Sequence, residues 1–134
     1  ALNIAAGENF SVRLKYRNPH RLNWPQLHVS LTIKSHLDVA LANVNNHVSG
    51  TMFGDKLAEE GWLVCDLGPA AFLPGHYGID FMVLDQPKGA RILDAVERAV
   101  QFEVGGGDFY GTGKLPHTGL FLIPARWSET GSNN

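Results

Sequence analysis

Hydrophobic and polar residues alternate one by one along three stretches of the chain. In residues 8–17, Phe10, Val12, Leu14 and Tyr16 alternate with Ser11, Arg13, Lys15 and Arg17, which is the pattern of a half-buried strand with a basic outer row. In residues 26–34, Leu27, Val29, Leu31 and Ile33 alternate with His28, Ser30, Thr32 and Lys34. In residues 77–84, Tyr77, Ile79, Phe81 and Val83 alternate with Gly78, Asp80 and Met82. Three such runs predict antiparallel sheet with one wet face. Weaker strand patterns lie at 38–44, 62–67, 100–104 and 120–127. Turn signals fall between them at Asn18-Pro19, Trp24-Pro25, Asn45-Asn46, Gly68-Pro69, Leu73-Pro74-Gly75 and Gln86-Pro87-Lys88-Gly89. About seven to eight strands at this spacing predict an all-β domain, an antiparallel β-sandwich of immunoglobulin-like or jelly-roll type.

Leu73-Pro74-Gly75-His76-Tyr77 has the form of the tyrosine corner of immunoglobulin-like sandwiches, with Tyr77 facing in and Asp80 and Met82 facing out. Two stretches depart from the period of two. Ile92, Leu93, Val96 and Val100 recur at near-helical spacing, which predicts a short helical turn over 90–100. Residues 56–60 carry a weaker helical signal. Residues 105–113 hold glycines without periodicity, which predicts a mobile loop.

The chain has 134 residues, the length of one domain spanning 1–134, and starts at Ala1 rather than Met, as a piece of a longer protein would. Hydrophobic residues make up 44% and charged residues 18%, the balance of a globular chain. A net charge of −2 and a pI near 6.3 argue against a nucleic-acid partner, which requires a basic surface. The single cysteine, Cys65, excludes an internal disulfide and a cysteine-based zinc site; its apolar neighbours Leu63, Val64 and Leu67 predict a buried structural thiol.

The run Gly105–Lys114 invites comparison with phosphate-binding loops and fails it. Asp108 stands where a P-loop requires its first glycine, and Leu115 stands where it requires Ser or Thr. The histidines form no H-x-H or H-x-x-x-H pair that would share a strand or helix face, so no metal or other cofactor is expected. No G-x-S-x-G elbow is present. Asn9-Phe10-Ser11 matches a glycosylation triplet, which is discounted without a secretory signal. Trp24, Trp62, Trp127, Phe109 and Tyr110 lie outside the clean strand interiors. On a β-sandwich such aromatics serve either as core or as platforms for sugar rings.

The sequence resembles one family. Leu73-Pro74-Gly75-His76-Tyr77, a second apolar strand, Glu97-Arg98-Ala99-Val100-Gln101-Phe102-Glu103-Val104, a glycine-rich loop and a final strand closing on Trp127 follow the order found in the C-terminal domain of Wzt. Wzt is the nucleotide-binding subunit of O-antigen polysaccharide ABC transporters. The front half agrees more loosely. The resemblance implies a non-enzymatic domain that binds the modified non-reducing end of a lipid-linked O-antigen, so that chain completion is coupled to export. It implies a place at the cytoplasmic face of a bacterial inner membrane, reached through the transmembrane subunit of the exporter. The ATPase part would lie elsewhere in the parent chain. It also implies a homodimer that exchanges its last strand, with 105–127 supplying the hinge loop and the exchanged segment. The same domain type occurs on methyltransferases and glycosyltransferases, and that parent stays open. So does a small glycan-active enzyme, which would need a pair of carboxylates in a cleft, and a sandwich that only dimerises.

If 26–34, 77–84 and 100–104 neighbour one another as strands C, F and G of an immunoglobulin-like fold, their outward rows share a face. That face would carry His28, Ser30, Thr32, Asp80, Met82 and Gln101, with Glu103 beside them. Hydroxyl, imidazole, carboxylate and amide groups in one patch are what sugar hydroxyls need, and Met82 supplies an apolar contact. Arg13 on the other sheet is a weaker candidate, and Trp62, Tyr110 and Trp127 form the alternative site.

Overall fold

The structure is a computed structural model and describes residues 2–21, 26–53, 57–85 and 91–131. Seven strands form: β1 (Leu2–Ala5), β2 (Asn9–Arg17), β3 (Leu27–Ser35), β4 (Ala40–Asn45), β5 (Glu60–Pro69), β6 (Gly75–Asp85) and β7 (Arg91–Gly105). There is no helix among the described residues. One sheet has the order β1-β7-β6-β3-β4, and β2 and β5 make the second. The run β7-β6-β3-β4 is the order of strands G, F, C and C′ in variable-type immunoglobulin domains, and β2-β5 corresponds to B and E.

The three alternating runs are strands as their period requires. Leu27, Val29, Leu31, Ile33 and Ser35 of β3 are buried, and the residues between them are half-buried. The core joins Leu31, Ile33, Tyr77, Ile79, Phe102 and Val104 of the large sheet with Phe10, Val12, Leu14, Cys65 and Leu67 of the small one. Cys65 is only partly buried. Burial, followed by the charge of Asp66, pushes its thiol pKa up, which keeps it protonated and unreactive.

The tyrosine corner is present. The Tyr77 hydroxyl donates a buried hydrogen bond of 2.6 Å to the Leu73 carbonyl. Its ring stacks on Phe102 at 5.5 Å and tilts against Phe72 at 5.0 Å.

Three expectations need correction. The helical turn over 90–100 is strand: described residues 91–100 belong to β7. Its register against β6 shifts between Ile79 and Phe81 and again between Val83 and Leu84. Each shift adds residues to β7 and breaks its alternation, so the apolar positions fall at helical spacing without a helix. In the 56–60 stretch, residues 57–59 are not helical and β5 begins at Glu60; Lys56 lies outside the described residues. Residues 120–127 form no strand, only one bridge between Phe72 and Phe121. There the Leu122 N–H donates to Ala71 O and the Leu73 N–H to Leu120 O, at 2.7 and 2.9 Å. Leu122 enters the core, while Trp127 is 98% exposed.

β1 was not foreseen. It pairs in parallel with the end of β7, Leu2 opposite Phe102 and Ala5 opposite Gly105. Four residues are too few to show a period. Trp24 and the turns Trp24-Pro25 and Gln86-Pro87-Lys88-Gly89 lie outside the described residues.

Candidate functional site

Sheet pairing sets the outer face of the large sheet. Ser30 faces Met82 and Thr32 faces Asp80 across β3–β6, and Gly78 faces Gln101 across β6–β7. On the other side, Ser30 faces Asn45 and Thr32 faces Asn43. The structure therefore places His28, Ser30, Thr32, Asp80, Met82 and Gln101 on one face. It adds Lys34, Asn43 and Asn45, which the sequence reading left out. Asn43 and Asn45 sit on a strand whose alternation is too irregular to give its faces from sequence.

Several of these groups are already bonded to one another. Asn43 Nδ2 donates to Ser30 Oγ (2.8 Å) and Thr32 Oγ1 (3.0 Å), and Asn45 Nδ2 donates to Asn43 Oδ1 (3.1 Å). Asp80 Oδ2 lies 2.6 Å from Lys34 Nζ, and its Oδ1 accepts the Arg98 N–H at 2.8 Å. Burial alone would raise the Asp80 carboxyl, but the Arg98 N–H and the Lys34 ammonium outweigh it and hold the pKa below the usual value. The same bond raises Lys34, against the effect of burial.

The pH consequence follows from these directions. The Asp80 contribution is complete above the unfolded-chain value, about 3.9, and is lost as pH falls through the lower folded value. The Lys34 contribution is complete below about 10.4 and is lost as pH rises through the higher folded value. The stability advantage of the parent over Asp80→Asn, from urea melts, is therefore expected to be flat between about pH 5 and 9 and to shrink below about pH 4. An advantage undiminished at pH 2 would contradict the ion pair.

Arg98 reaches this face through two unusual local structures. It stands in the left-handed region, at φ 48°, within the β6–β7 irregularity. Its Nη2 donates to Ser35 O (2.9 Å) and lies 3.5 Å from Asp38 Oδ1. To get there it crosses Gly78, where a Cβ would meet Arg98 Nη1 at 2.6 Å. Glycine at 78 leaves open the space that the Arg98 side chain occupies as it crosses β6.

At the opposite end, His28 Nδ1 and His47 Nδ1 are 3.2 Å apart with the rings edge to face. One ring donates and the other accepts. Burial, and then His47, push the His28 pKa below its usual value, so His28 stays uncharged to lower pH than a free imidazole would.

Between these ends and beyond them the remaining candidates are dispersed. Trp62 is 50% exposed on the outer face of the small sheet, with the Arg13 guanidinium 4.8 Å from its ring centre. The Tyr110 hydroxyl donates to Ile123 O at 2.8 Å, in the loop region. Trp62, Tyr110 and Trp127 therefore sit on separate elements, whereas the six residues of the large sheet share one face. No group of three or more metal-ligating side chains occurs among the described residues.

No protein-family profile and no curated protein matches the sequence. Among solved structures, the crystal structure of the C-terminal domain of Wzt is similar to this chain. The TM-score is 0.75 at 10% sequence identity, over 96% of this chain and 74% of the other. The fold of the two is the same.

Proposed function

We propose that this chain is a carbohydrate-binding domain that recognises the modified non-reducing end of a lipid-linked O-antigen polysaccharide without chemically altering it. By that recognition it couples chain completion to export through an ABC transporter at the cytoplasmic face of the inner membrane. One observation carries the reading: on the fold shared with the C-terminal domain of Wzt, a single sheet face collects hydroxyls, carboxamides, imidazole, carboxylate and the exposed Met82. Such a face offers donors and acceptors for hydroxyls and an apolar spot for a ring. His28, Ser30, Thr32, Asp80, Met82 and Gln101 belong to it.

The test is calorimetry with purified O-polysaccharides, intact and trimmed at the non-reducing end. Binding of an intact chain that disappears on trimming is expected. Equal binding of both forms would overturn recognition of the terminus, and failure of every chain to bind would overturn the carbohydrate reading.

The domain is further proposed to pair with a second copy by exchanging residues 120–127. Phe121, Ile123 and Trp127 are exposed, and among the described residues the rest of the domain holds this backbone at Leu120, Leu122 and Ile123. The glycine-rich loop before it can extend to dock Leu122 on a partner instead. Sedimentation of the full chain as a dimer is expected; a monomer at high concentration would overturn the exchange.

A further inference from the structure

We infer that the sugar end sits in a cleft formed by His36, His76, Arg98 and Gln101, and that the sugar it takes is uncharged. This rests on the carbohydrate reading above and narrows it to one end of the face. The cleft has a volume of about 380 Å³, and Tyr77 and Phe102 also line it. That is at the small end of the range for small-molecule sites, about 300–1,000 Å³. It opens between the turn after β3, which carries His36, and strands β6 and β7.

Satisfaction of hydrogen bonds separates this end from the middle of the face. Ser30, Thr32 and Asp80 are held by Asn43, Lys34 and the Arg98 backbone. A sugar hydroxyl binding them must share an oxygen that an existing partner already occupies. His36, His76 and Gln101 are exposed and have no hydrogen-bond partner among the described residues. Their amide and imidazole groups both donate and accept, which is what a hydroxyl requires. Arg98 is fixed in place by Ser35 O and Asp38, with further N–H donors left for a ligand. A site already ordered in the free protein loses less entropy on binding.

Charge determines the class of ligand. Arg98 is answered by Asp38 and Lys34 by Asp80, and Glu103 stands opposite His76 in the β6–β7 register. Glu97 also acts on Lys34. At this end of the face the carboxylates Asp38, Asp80, Glu97 and Glu103 outnumber the fixed cations Lys34 and Arg98, so an anionic sugar is disfavoured.

Nuclear magnetic resonance of the full chain tests this with methyl glycosides of glucose, galactose and mannose, N-acetylglucosamine, glucuronate and glucose 1-phosphate. A neutral sugar is expected to shift the amides of 76–78 and 98–101. His76→Ala and Gln101→Ala, both on exposed positions, are expected to weaken it about ten-fold each, while Arg17→Ala, exposed on the small sheet, changes it less than about two-fold. Glucuronate and glucose 1-phosphate are expected to bind several-fold more weakly than the best neutral sugar. Tighter binding of either acid overturns the uncharged ligand. Shifts centred on 28–32 that are lost in Ser30→Ala and kept in His76→Ala overturn the placement while leaving the carbohydrate reading intact. No shift with any sugar, together with no binding of the intact polysaccharides, overturns both.

Discussion

Tyr77→Ala is expected to lower the unfolding free energy by about 3–5 kcal/mol, the usual cost of removing a buried aromatic ring. Tyr77→Phe is expected to cost about 1–3 kcal/mol, since it leaves the Leu73 carbonyl buried without its donor. The ring lies between Phe72 and Phe102 and joins the β5–β6 connection to β7, the neighbouring strand of the large sheet. Burial pushes the phenol pKa up, so the hydroxyl remains a donor at all physiological pH. Urea melts read both variants. If Tyr77→Phe matches the parent within experimental error, the corner bond contributes nothing and the ring packing carries the site alone.

Asn46→Ala is expected to cost about 3 kcal/mol or more, because it strands several buried backbone groups at once. The buried Asn46 Oδ1 accepts the Val29 N–H at 2.7 Å. Its Nδ2 donates to Leu27 O at 2.9 Å and to Thr51 O at 3.0 Å. One side chain thus ties the start of β3 to the turn after β4. It also sets His47 beside His28, so the variant is expected to change the imidazole resonances of both. Asn46→Asp keeps the acceptor but loses both donations and introduces a buried charge, and it is expected to rescue little. A loss under about 1 kcal/mol in Asn46→Ala would mean that water replaces these bonds.

The parts of this fold legible in the sequence are those with an uninterrupted period. β2, β3 and the first half of β6 alternate cleanly because each has one wet and one buried face. The outward row His28, Ser30, Thr32 follows from the same alternation, and the corner from Leu73 and Tyr77. What escaped depends on pairing between distant segments. The irregularities of β7 are defined only against β6, so Ile92 to Val100 imitates a helix. Arg98 was hidden by that reading, and its reach to Ser35 depends on a glycine one strand away. Asn43 and Asn45 became visible only when β4 was found beside β3. The six residues chosen from sequence do share a face, but alternation cannot say which polar groups bond to each other and which are left for a ligand.

The parallel pairing of β1 with the end of β7 has a consequence for how the chain is made. Within this domain β1 is made well before β7, and it finds its partner only when nearly the whole domain has been synthesised. Closing so long a loop is slow, because its entropy is lost before any contact compensates. β3 and β4, then β2 and β5, and then β6 against β3 can pair earlier. Leu2–Ala5 therefore waits as an unpaired apolar segment during translation, exposed to chaperones and to neighbouring nascent chains.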